Sequence, residues 1–175
     1  KVIDFLIEGG LDGILVLGSA GEFPDLNEQE RLDFFRFYAE YVNGRVELLA
    51  GTGCIRYADT LALSNAVYEL GYTPMVISPY YFEMDQEKLF VYYDRLAKDV
   101  KGDLYLYNFP PRTGHSIAPE TIRRLIDANP NIIGLKDSVS TPGHTNMGRR
   151  VHRCAVYHRA GDLEQFGEGC QRKGL

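Results

Sequence analysis

The residue that most invites a chemical reading is Lys136, the last position of the apolar run IIGLK at 132–136. With a strand's period of two, Ile132, Gly134 and Lys136 share one face, and Ile133 and Leu135 share the other. A lysine amine held where water is scarce gives up its proton more readily, and the free amine can attack a ketone. The plainer alternative is a strand-end lysine paired with a carboxylate. A second run bears on the choice. DLYLY at 103–107 alternates Leu104 and Leu106 with Tyr105 and Tyr107, so Tyr107 faces the same interior as Lys136. A phenol there can move protons while a carbinolamine forms and a C–C bond breaks. Its competing role is an aromatic core filler with a satisfied hydroxyl. Gly18-Ser19-Ala20-Gly21-Glu22 follows directly on a third apolar run, and its glycines let backbone N–H groups turn toward an anion such as a carboxylate. It is not the GxGxxG fingerprint, so no nicotinamide cofactor is expected.

These residues need elements to position them. Apolar runs of strand length recur at 13–18, 46–51, 74–79, 103–108 and 132–136, with a weaker AVYH at 155–158. Between the first five lie segments of helical period. In 27–42, Leu32, Phe35, Ala39 and Val42 mark a face, and Asn27 with Glu30 reads as a capping box. In 57–70 the face is Ala58, Leu61, Ala62 and Ala66; in 86–100 it is Leu89, Tyr93, Leu96 and Val100 behind an Asp85 N-cap. Pro119 opens a helix carrying Ile122, Leu125 and Ile126, and glycines at 9–10, 44, 71 and 102 stand where left-handed C-caps are wanted. Strand-loop-helix repeated in this way means a parallel α/β sheet. Periodicity alone leaves open whether that sheet is closed. The functional-looking side chains Ser19, Glu22, Thr52, Tyr80, Tyr81, Tyr107 and Lys136 fall at the C-terminal ends of five successive strands, a rim that suits a barrel better than an open sheet.

Bulk properties remove other classes. The 175 residues are 45% apolar, enough for a buried core. Net charge is −5 and the basic residues are scattered apart from Arg149, Arg150, His152 and Arg153, which argues against nucleic acid as a partner. No apolar stretch reaches the roughly 20 residues that cross a bilayer, so no membrane association is expected. Cys54, Cys154 and Cys170 form no CxxC pair and read as reduced thiols in the cytoplasm. His115, His144, His152 and His158 show no metal-ligand spacing and read as solvated residues, so no metal is expected.

Three motifs in order and spacing, GSAGE at 18–22, YNFP at 107–110 and GLKDS at 134–138, resemble the dihydrodipicolinate synthase and N-acetylneuraminate lyase family, and SPYY at 78–81 also fits. The resemblance implies a TIM (β/α)8 barrel, assembled as a homodimer or homotetramer, that joins or splits pyruvate and an aldehyde through a lysine imine. It implies no cofactor, because the iminium is itself the electron sink. Lys136 then matches the Schiff-base lysine, Tyr107 the acid/base tyrosine and Ser19 the hydroxyl that relays protons to it. Ala20 stands where many members have a threonine that helps hold the substrate carboxylate, which leaves backbone N–H groups of the Ala20–Gly21 turn for that task. Tyr81 matches a tyrosine that reaches into the neighbouring subunit's site, against the plain alternative of an aromatic pair with Tyr80. Arg112 matches a guanidinium that binds the second substrate's carboxylate in some members, against the alternative of an exposed loop arginine. GSAGEF with YNFP leans toward the sugar-acid and hydroxy-oxoglutarate aldolase branches, Arg112 toward the dihydrodipicolinate branch, and the substrate stays open among them.

The expected organisation is a partial barrel over residues 1–150, with the first and last strands missing, and a divergent segment over 151–175. The chain opens at Lys1 inside a helical pattern, as if its beginning were lost. The last segment reads either as a short seventh strand at 155–158 or as an altered reading frame.

Overall fold

The computed structural model of the chain describes residues 1–138 and the strand at 154–156. The elements run α1 (Val2–Glu8), β1 (Gly13–Val16), α2 (Glu28–Val42), β2 (Glu47–Gly51), α3 (Tyr57–Tyr68), β3 (Thr73–Ile77), α4 (Gln86–Asp99), β4 (Leu104–Asn108), α5 (Pro110–Thr113), α6 (Pro119–Ala128), β5 (Ile132–Asp137) and β6 (Cys154–Val156). All strands pair in parallel, in the order β5-β4-β3-β2-β1-β6. The weak run expected at 155–158 therefore corresponds to β6, which lies beside β1; the rest of 151–175 falls outside the described residues, as do His144, His152 and His158.

Local signals account for most helix boundaries. Asn27 accepts the Glu30 N–H at 3.0 Å while Glu30 accepts the Asn27 N–H at 2.9 Å, closing the capping box that starts α2. Asp85 caps α4 through the Lys88 N–H at 2.8 Å. α2 ends on Asn43 and Gly44, both left-handed, and Gly71 does the same after α3. Gly102 does not have a positive φ; its Cβ would press on the Tyr68 ring at 3.1 Å, so close packing selects it.

Two helix faces differ from the pattern read in sequence. The α2 stripe is centred on Arg31, Phe35, Tyr38 and Val42, with Leu32 and Ala39 only half-buried at its side. Arg31 is tolerated there because its guanidinium donates to the Gly51 carbonyl at 2.7 Å and to Cys54 Sγ at 3.1 Å and lies over the Phe23 ring. In α3 the buried residues are Thr60, Leu63, Ser64 and Val67, while Ala58 and Ala62 face solvent. Thr60 Oγ1 accepts the Cys54 N–H at 3.0 Å and Ser64 shares a 2.8 Å hydrogen bond with Thr52, so the end of β2 satisfies both hydroxyls. α4 and α6 bury the expected Leu89, Tyr93, Leu96, Ile122 and Leu125, each full apolar burial contributing about 1.5–3 kcal/mol.

Along the sheet, Val76, Leu104 and Leu106 pack outward against α4 and α6, while Leu15, Gly51, Met75, Ile77 and Tyr107 line a common recess on the other side. Gly51 and Gly53 are needed there: a Cβ at Gly51 would stand 2.0 Å from the Leu17 carbonyl oxygen, and one at Gly53 would stand 2.5 Å from the Ile77 side chain. β5 carries an irregularity. Leu104 is opposite Ile132 but Tyr105 is opposite Gly134, so Ile133 is an extra residue, a β-bulge. Ile132 accordingly packs with Leu104, Leu106 and Leu135, and Ile133 against the cluster holding Tyr105 and Tyr107, the reverse of strict alternation.

His115, expected in solvent, is instead 8% exposed, with Nε2 2.9 Å from Ser78 Oγ, and burial lowers its pKa from the usual histidine value. A histidine whose folded pKa is depressed takes up its proton preferentially in the unfolded chain, so its contribution is present above the unfolded pKa and is lost as pH falls. Urea midpoints of the chain should therefore drop as pH falls below about 6.5, the unperturbed histidine value, and His115→Gln should flatten that part of the profile. An unchanged slope in the variant would reject this assignment.

Among the described residues the sheet ends on β5 and β6, and each edge presents unpaired backbone groups. The 175-residue chain on its own should be marginally stable and prone to associate. A monomeric peak in size-exclusion chromatography together with a sharp cooperative melt would overturn this expectation.

Candidate active site

Three elements bring the sequence-predicted residues together. Tyr107 is the last residue but one of β4 and Lys136 the last but one of β5, and the ladder sets these two directly opposite one another. Lys136 Nζ lies 4.0 Å from the centre of the Tyr107 ring and 5.9 Å from that of Phe109. Phe109 stacks on Tyr107 with centroids 5.7 Å apart, which fixes the phenol's plane. The Tyr107 hydroxyl is 3.3 Å from Ser19 Oγ, a contact between residues 88 apart in sequence. An amine, a phenol and a hydroxyl thus stand together near the C-terminal ends of the strands.

The turn that presents Ser19 is unusual backbone. Leu17 has φ 55° and Glu22 has φ 53°, so left-handed residues bracket the 3-10 turn Ser19–Gly21. A left-handed non-glycine residue costs about 1–2 kcal/mol, and Leu17 is held there by burial. Within the turn the Gly21 N–H donates to the Gly18 carbonyl at 2.8 Å, so Gly21 builds the turn with its donor already used. The N–H groups of Ser19 and Ala20 lead the 3-10 turn, where donors have no partner inside it. Ala20 is half-buried beside them, and Glu22 is exposed.

The other expected residues divide. Arg112 is exposed in the last turn of α5, a short helix that the sequence reading missed, opened by Pro110 and Pro111. Tyr81 is 83% exposed with φ 86° and stands edge-on to the exposed Phe82. Tyr80 is half-buried against Phe23, and its hydroxyl's pKa is raised by burial and by the nearby Cys54 thiol. Thr52 is fully buried and serves packing through Ser64.

Sequence reasoning singled out neither Ser138 nor Phe109. Ser138 Oγ accepts a hydrogen bond from Lys136 Nζ at 2.8 Å. Its place two residues after the lysine, on the same strand face, was the available signal. Among the described residues no group of histidine, cysteine, aspartate and glutamate side chains could hold a metal ion, and no helix is long and apolar enough to cross a membrane.

Comparison with known proteins points to one family. The model of the dihydrodipicolinate synthetase family matches residues 1–163. The putative 2-dehydro-3-deoxy-D-gluconate aldolase YagE of Escherichia coli K12 is 38% identical over 144 residues, which cover 82% of this chain and 48% of that protein. The 4-hydroxy-tetrahydrodipicolinate synthase of Kosmotoga olearia is 38% identical over 139 residues, covering 79% and 47%. The crystal structure of YagE in complex with pyruvate superimposes with a TM-score of 0.78, over 82% of this chain and 49% of that one. The chain spans about half the length of the curated relatives it matches, and its parallel sheet is the corresponding arc of their TIM barrel. With the family model covering most of its residues and its strand-end motifs meeting in space, the chain belongs to the dihydrodipicolinate synthetase family.

Proposed function

We propose that this chain carries the Schiff-base site of a class I aldolase or lyase that splits, or in reverse joins, pyruvate and an aldehyde. The observation that carries the reading is the placement of Lys136 Nζ over Tyr107, whose hydroxyl meets Ser19. In the forward sense the Lys136 amine adds to the C2 carbonyl of a 2-oxo acid, giving a carbinolamine. Tyr107 protonates the departing hydroxyl, water leaves, and the iminium forms. It then draws the electrons of the breaking C3–C4 bond as the tyrosinate takes the proton of the C4 hydroxyl and the aldehyde departs. Ser19 passes protons between Tyr107 and the substrate side. The Ser19 and Ala20 N–H groups are the donors for the substrate carboxylate, a weaker hold than a threonine hydroxyl at position 20 would add.

The relatives' names divide between 2-dehydro-3-deoxy sugar-acid aldolases and 4-hydroxy-tetrahydrodipicolinate synthases. A 2-keto-3-deoxy sugar acid, hydroxy-oxoglutarate or a dihydrodipicolinate precursor therefore fits the reading, with Arg112 available to a second carboxylate. The exposed, left-handed Tyr81 with Phe82 supports a role at a contact between copies in a homodimer or homotetramer. Free Cys54 is compatible with the reducing cytoplasm. A second reading, an inactive barrel fragment that keeps the motifs, is favoured by one observation: the sheet has two edges among the described residues.

In an assembled, full-length form, incubation with pyruvate and borohydride should add one reduced pyruvyl group, located at Lys136 by peptide mass mapping and absent in Lys136→Ala. No adduct, or one that survives the substitution, rejects the aldolase reading. Adduct without turnover selects the fragment reading. In an assembled form that turns over, Tyr107→Phe should slow the reaction roughly 10²–10⁴-fold with partial retention of imine formation. Normal turnover in that variant would leave Tyr107 a packing residue only.

A further inference from the structure

On the outward face of the same two strand ends, one residue beyond the reacting pair, Asn108 follows Tyr107 and Asp137 follows Lys136, and the two are ladder partners. Asn108 is 1% exposed. Its Nδ2 donates to Asp137 Oδ1 at 3.1 Å and lies 3.4 Å from Ser116 Oγ, and its Oδ1 accepts the Ile117 N–H at 3.0 Å. The Asn108 carbonyl then accepts the Ser138 N–H at 2.9 Å, extending the ladder one step past β5. Ser138 is the residue whose hydroxyl holds the Lys136 amine.

We infer that Asn108 and Asp137 form a positioning pair for the lysine–tyrosine site: their side-chain bond fixes the axial placement of Lys136 against Tyr107 and ties the segment after Arg112 to the same point. The inference rests on the Schiff-base reading of Lys136. Its physical basis is that a parallel ladder is held at its open end by few bonds. A side-chain bond across the last backbone pair opposes its fraying. Neither residue faces the recess, so neither touches substrate. What they control is the separation of two groups that must act together, and small misplacements of such groups are costly in rate. An amide is required on one side. It donates to the carboxylate through nitrogen and accepts the Ile117 N–H through oxygen, a division that two carboxylates cannot reproduce.

The test is the rate of pyruvate trapping at Lys136 under borohydride, set against the melting midpoint and far-UV circular dichroism of each variant. Asn108→Asp should slow trapping about ten- to a hundredfold, by repelling the strand tips, with the folded fraction largely kept. Asp137→Asn keeps an acceptor for the Asn108 amide and should stay near the parental rate. The double variant Asn108→Asp with Asp137→Asn restores one amide and one carboxylate across the pair and should recover most of the lost rate. A parental rate in Asn108→Asp, no recovery in a folded double variant, or a rate that merely tracks the folded fraction would each overturn the inference. Trapping in the parent with an unaffected Asn108→Asp removes this pair alone; absence of trapping in the parent removes the Lys136 reading and the pair with it.

Discussion

The parallel ladder between β4 and β5, and the single bulge within it, is the constraint on which the candidate site depends. In strict register Tyr105 would sit opposite Ile133 and Tyr107 opposite Leu135, which would turn Lys136 toward the helices. The extra residue at Ile133 advances the phase by one, so Tyr105 meets Gly134 and Tyr107 meets Lys136. The inner face then carries the amine, and the outer face receives Leu135 for packing against the helical layer. A one-residue irregularity thus decides whether the lysine lies over the Tyr107 ring on the inner face or becomes a snorkelling cation on the outside of the sheet.

The opposite side of the recess is set by close backbone approach. Gly51 and Gly53 let β2 run against Leu17 and Ile77 with no room for a Cβ, and Arg31 ties the Gly51 carbonyl to α2 from behind. This packing holds the left-handed Leu17, and Leu17 aims the Ser19 turn. A strained residue persists only where its surroundings over-determine it. Here a buried cation, two glycines and the Phe23 ring supply that determination. The donors left at Ser19 and Ala20 follow from the turn's geometry, independently of the side chain at position 20.

What was legible in the sequence was local. The Asn27–Glu30 box, the Asp85 cap and the Pro119 start are decided within a few residues, and they hold in three dimensions. The placement of three motif residues was legible too, since Tyr107 and Lys136 stand one residue before the ends of β4 and β5 and Ser19 stands three residues after β1. What was not legible depended on partners far along the chain. Nothing near Arg31, Thr60 or Ser64 announces that the end of β2 will satisfy their polar atoms, so apolar neighbours were assigned to the core in their place. His115 looked solvated because Ser78, its partner, is 37 residues away. The bulge at Ile133 is a property of two paired strands, and alternation within one strand misassigned Ile132 and Ile133 while keeping Lys136 on the correct face.

The Ser19–Tyr107 hydrogen bond also reports on the shape of the sheet. β1 and β4 are separated by β2 and β3, and in a flat sheet three strand spacings of about 4.8 Å would set them about 14 Å apart. Yet side-chain oxygens of Ser19, in the turn after β1, and of Tyr107, on β4, approach to 3.3 Å, and Leu15, Met75 and Tyr107 line one recess. Contact over that interval fits a sheet that curls toward its inner face, as strands do when they build a barrel wall. Curvature is set pair by pair, through twist, the bulge in β5 and the glycine approaches at 51 and 53. The arc therefore brings together the amine, phenol and hydroxyl without needing the far wall of the barrel to do so. What the far wall would add is a second side to the recess and cover for the strand edges, which bear on turnover and solubility more than on the geometry of the amine.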